Sequence, residues 1–72
     1  MGTLSVEGRT YQYQWASDVA FDGIRLEVLS PEGDVLFDMS LPEGGSATLN
    51  SFANEVSVAL VTAAIGLLQQ SD

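Results

Sequence analysis

The sequence predicts an α+β domain: a four-stranded antiparallel β-meander followed by one long C-terminal helix packed on its inner face, in the order ββββα. Two observations carry this reading. Residues 3–41 alternate apolar and polar side chains in four short runs, separated by segments containing glycine or proline. Residues 46–70 then lose that alternation. They hold no proline, one glycine (Gly66) and one charge (Glu55), and they place apolar side chains at helical spacing.

The first strand spans 3–6, with Leu4 and Val6 on one face. Glu7-Gly8 supplies a tight turn, since glycine accepts positive φ at no steric cost. The second spans 9–15, with Tyr11, Tyr13 and Trp15 on one face and Thr10, Gln12 and Gln14 on the other. Pairing Val6 with Arg9 sets Leu4 opposite Tyr11, so both apolar sets share a face. Residues 16–23 are expected to form a wide loop anchored by Phe21. The third strand, 24–29, turns Ile24, Leu26 and Val28 inward. Ser30-Pro31-Glu32-Gly33 is a turn in which proline presets φ and glycine takes the left-handed position. The fourth strand, 34–41, turns Val35, Phe37, Met39 and Leu41 inward, and Pro42 ends it. Face parity then favours Val28 beside Val35, Leu26 beside Phe37 and Ile24 beside Met39. That register sets Arg25 opposite Asp38 on the exposed face, and leaves Leu29 and Leu36 pointing outward.

On a helical wheel, Leu49, Phe52, Ala53, Val56, Leu60, Ala63, Ala64 and Leu67 share one broad face, expected to lie on the sheet. Val58, Val61, Ile65 and Leu68 fall on the other side at spacings of three, four and three, a short a/d seam that Asn54 extends by four. A helix apolar on two sides cannot satisfy both against one small sheet. Ser46, Thr48 and Asn50 are the expected N-caps. A helix of about 21 residues is on the order of 32 Å long, against roughly 23 Å for strands of about seven residues. It is therefore expected to overhang the sheet and carry Ile65, Leu67 and Leu68 past its end.

Residues 56–68 are uncharged, but a membrane span needs roughly 20 apolar residues. No secretory signal is read at the N-terminus, so a cytoplasmic location is expected. At 72 residues the chain is one domain, and a chain of this size buries only about 60% of its unfolded surface. With no cysteine and no histidine, disulfides and the common zinc sites are not open to it as aids to stability. Association is the remaining aid, and it agrees with the two-faced helix.

Ten acids face two bases, Arg9 and Arg25, for a formal net charge of −8. That balance argues against nucleic acid and against anionic membranes, both of which recruit Lys and Arg. It permits a basic protein partner. Without His, Cys or Lys there is no ordinary general base near neutral pH and no thiol or amine nucleophile, so no catalytic residue, cofactor or metal site is expected. Residues 18–23 (DVAFDG) only begin to look like a calcium loop. The oxygen ligand at the third position and the glutamate at the twelfth are replaced by Ala20 and Leu29. The row Tyr11, Tyr13, Trp15 is expected in the core, because stacking on single-stranded nucleic acid needs a basic groove.

The resulting expectation is a non-enzymatic, acidic interaction module that forms a homodimer through Asn54, Val58, Val61, Ile65 and Leu68. The alternative is an acidic inhibitor, immunity-like or chaperone-like protein, which would hold a basic partner surface with Asp18, Asp22, Glu32, Asp34 and Asp38.

Overall fold

The structure, a computed structural model, describes residues 1–17, 23–42, 44–53 and 55–70. Its elements are β1 (Gly2–Val6), β2 (Arg9–Ser17), β3 (Gly23–Leu29), β4 (Val35–Pro42), β5 (Thr48–Ser51) and α1 (Val58–Gln70). The strands form one antiparallel sheet in the order β1-β2-β3-β4-β5. The α+β class and the meander agree with the sequence, but the sheet has five strands rather than four. The extra strand comes from the stretch expected to open the helix. Thr48, Asn50 and Ser51 are weak helix formers, whose side chains compete for backbone groups. As a strand, their backbone pairs with β4, whose N–H and C=O groups would otherwise line an open edge. Phe52 N–H continues this tie to the Leu36 carbonyl at 2.9 Å.

The helix therefore starts at Val58, and its cap is Ser57 rather than Ser46, Thr48 or Asn50. Ser57 Oγ accepts from Leu60 N–H at 3.3 Å, the N-cap geometry, and Val61 N–H reaches the Ser57 carbonyl at 3.1 Å. Ser57 Oγ in turn donates to Glu7 Oε1 at 3.0 Å. Glu7 sits in the β1–β2 turn, where Glu7 (φ 52°) and Gly8 (φ 77°) are both left-handed, as a two-residue type I′ hairpin requires. The turn thus delivers a carboxylate to the positive end of the helix dipole.

With 13 residues, α1 is about 20 Å long and matches the strands beneath it, so the expected overhang does not exist. Leu60, Ala64 and Leu68, four residues apart, are buried against Leu26 and Val28 of β3 and Phe37 and Met39 of β4. Leu4, Val6, Tyr11 and Tyr13 pack around this cluster, whereas Trp15 is exposed at its margin. Leu49 and Phe52, expected on the helix's core face, lie outside the helix and are exposed.

The first hairpin has the expected register, Val6↔Arg9 and Leu4↔Tyr11. The second differs by two residues: Val28 faces Phe37, Leu26 faces Met39 and Ile24 faces Leu41. Its turn is the expected one, closed by Gly33 N–H to the Ser30 carbonyl at 2.9 Å, with Gly33 at φ 97°. The difference comes from a bulge. Leu29 pairs with Val35 and Val28 with Phe37, so Leu36 is an extra residue on β4. The bulge turns Leu36 from the outer face to the helix side, where it packs against the core and lines a cavity with Tyr11, Val56 and Leu60.

The slipped register builds a polar row across the outer face: Gln14, Glu27, Asp38 and Asn50 on four adjacent strands. Gln14 Nε2 donates to Glu27 Oε1 at 2.5 Å, and Asn50 Nδ2 donates to Asp38 Oδ1 at 3.2 Å. Arg25 lies opposite Ser40, with Nε 3.4 Å from Ser40 Oγ, and not opposite Asp38 as expected.

Two sets of substitutions test this account. Leu60→Ala should cost about 2–5 kcal/mol and Ser57→Ala about 1 kcal/mol through the lost cap. Val58→Ala, at an exposed position, should stay within about 0.5 kcal/mol. Urea unfolding would rank them, and equal costs for Val58 and Leu60 would show that the helix presents another face to the sheet. Asp38→Asn keeps the acceptor for Asn50 and removes the charge facing Glu27. It should raise stability by about 0.5 kcal/mol, the scale of a like-charged cross-strand pair. A clear loss of stability would show that the Asp38 charge itself supports the fold.

Candidate functional site

The helix lies closest to β1 and β3 and leaves the β5 side of the inner face uncovered. A groove of about 420 Å³ opens there. Met39 and Leu41 of β4 form its floor, Ala47, Thr48 and Leu49 form one wall, and Val61, Ile65, Leu68 and Gln69 of α1 form the other. None of these residues is charged, and six of the nine are large apolar side chains. Two elements build it by simple rules. Pairing Leu49 with Met39 puts Leu49 on the helix side of an edge strand. On α1, Val61 and Ile65 fall beside the buried stripe, and Leu68, a member of that stripe, completes the arc.

The expected seam is therefore divided. Val58 is 80% exposed near the start of the helix and Ile65 is 42% exposed on the groove wall, while Val61 is half-buried. Leu68 is only 5% exposed and belongs to the core. Asn54 lies outside the described residues. The sequence pattern did not bring in Leu49, because it placed that residue under the sheet as part of the helix. Leu49 is the groove's contribution from the edge strand.

Of the acidic set, the three described members, Glu32, Asp34 and Asp38, do not share one exposed surface. Glu32 and Asp34 are exposed at the β3–β4 turn. Asp38 is 4% exposed in the middle of the outer face, bonded to Asn50. Asp18 and Asp22 lie outside the described residues. Among the described residues, no three acidic side chains come together as a cation site. Glu27 and Asp38 do face each other across β3 and β4, but on a sheet face and not in a cleft.

Two further hollows flank the core. Tyr13, Trp15, Leu67 and Gln70 line one of about 240 Å³. The other, of about 680 Å³, lies at the helix start and mixes Arg9, Glu32 and Glu55 with Tyr11, Leu36 and Val56. No helix among the described residues is long and apolar enough to cross a membrane. The β5–α1 groove is thus the strongest candidate site, an apolar, uncharged trough on a molecule of net charge −8. No family model, no curated protein and no solved structure matches the chain.

Proposed function

We propose that this chain is a small non-enzymatic interaction module that associates with itself through the β5–α1 side. The observation that carries the reading is the groove itself. It concentrates apolar surface from α1 and β5 in one place and keeps every charge out of its lining. Exposed Phe52 and Val58 add apolar surface beyond the groove. Contiguous exposed apolar surface of this kind marks interaction sites. A chain with few residues to bury gains stability by covering it. The reading that a basic partner docks on the acids draws less support, since Asp38 is buried and bonded within the sheet.

Sedimentation should show twice the monomer mass, with a dissociation constant on the order of micromolar. Ile65→Asp would bury an unpaired charge in the interface, so it should yield a monomer that keeps its circular dichroism signal. Salt separates the two readings. Two copies of net charge −8 repel, so added salt should tighten self-association. An acidic surface on a basic partner would instead weaken with salt. A wild-type chain still monomeric at about 100 μM, well above that constant, would sink the proposal.

A further inference from the structure

Strand β5 ends the sheet, and its hydrogen-bonding pattern says which of its backbone groups are unspent. Phe52 N–H points to β4, where it meets the Leu36 carbonyl. Backbone groups of an antiparallel strand alternate between its two neighbours. Thr48 and Asn50 therefore also face β4, and the N–H and C=O of Leu49 and Ser51 face outward. Beyond them no further strand is present among the described residues. From this we infer that β5 pairs antiparallel with β5 of a second copy about a two-fold axis at Leu49, joining two five-stranded sheets edge to edge.

The inference rests on the self-association proposed above and assigns its geometry. An outward-facing residue centred on a two-fold axis meets its own counterpart as a hydrogen-bonded pair, so Leu49 would exchange both backbone bonds with Leu49 of the other copy. Ser51 would then face Ala47. Leu49 lies on the helix side, so the same register sets the two Leu49 side chains together and merges the two grooves into one apolar seam. Backbone bonds contribute little net free energy when they replace bonds to water, so edge pairing needs apolar burial beside it. Only one edge offers that. At β1, Leu4 and Val6 already pack on the core, whereas Leu49 and Ile65 remain exposed beside β5.

Charge selects the occupant. From Gly44 through Ala53 the described chain carries no charge, and neither does any residue of α1. A basic partner would find no carboxylate here to pair with. A second copy brings an equally neutral edge. The edge also lacks the lysine, proline or bulge with which exposed strands block such pairing.

The chain has no cysteine, so single cysteines report the register directly. In the proposed pairing two Leu49→Cys residues face each other with Cα atoms about 5.5 Å apart, inside the range a disulfide spans. Two Asn50→Cys residues would be diagonal neighbours about 7–8 Å apart, beyond that range. In a glutathione redox buffer, the full-length Leu49→Cys chain should therefore become covalent dimer, and Asn50→Cys should not, as read on a non-reducing gel. Preferential linkage of Asn50→Cys, or none at Leu49→Cys while sedimentation still shows a wild-type dimer, would overturn this pairing and leave self-association standing. A wild-type monomer would overturn both.

Discussion

An α-helix is about 10–12 Å across with its side chains. Five strands spaced about 4.8 Å apart span about 19 Å between the outer two. One helix cannot roof such a sheet, and most of this molecule's features follow from where the single helix settles. It sits towards β1 and β3, with the Ser57–Glu7 bond tying its start to the first hairpin. The buried stripe Leu60, Ala64, Leu68 seals the central strands, and Ala64 lets the helix come close. What the helix leaves uncovered becomes the groove beside β5. The groove is thus the uncovered remainder of a five-stranded sheet, not a defect in packing.

The first four strands were legible because each carries several alternating positions bounded by a turn of recognisable chemistry. Glu7-Gly8 and Pro31-Glu32-Gly33 behave as their residue types dictate. β5 was not legible. It spans four residues, too few for a period of two to declare itself, and it contributes one inward apolar residue, Leu49. Leu49, Phe52, Ala53 and Val56 also fit a helical spacing, so the wheel absorbed the strand. The β3–β4 register failed for a different reason. A slip of two residues preserves which side chains face inward, so parity could not choose between the alternatives. The bulge at Leu36 made the choice, and no glycine or proline at that point signalled it.

The candidate site was half legible, and helix geometry says which half. At about 100° per residue, Val58, Val61 and Ile65 stay within about 60° of one another, while Leu68 lies about 80° from Val58, about 20° beyond Val61. It stands only about 40° from Ala64, at the centre of the buried stripe. On a straight helix a spacing of three, four, three drifts by about 20° per heptad. On a short straight helix the last member rotates into the core, as Leu68 does. Within the acidic set, Asp38 departs from the expected exposure for a different reason. Asp38 does lie on the outer face, but a short side chain in a central strand, between Glu27 and Asn50, is covered by its neighbours.

The hydrogen bond from Ser57 to Glu7 joins residues fifty positions apart, while every strand pairs with its neighbour in the chain. During synthesis from the N-terminus, the hairpins can close as they emerge, because each needs only a short loop. The helix that covers them is made last among the described elements. Until it docks, Leu26, Val28, Phe37 and Met39 stand open on a nascent sheet whose edges are uncharged. A chain truncated before Val58 would therefore keep that apolar surface open, the kind of surface that drives aggregation. The thirteen residues of α1 close it.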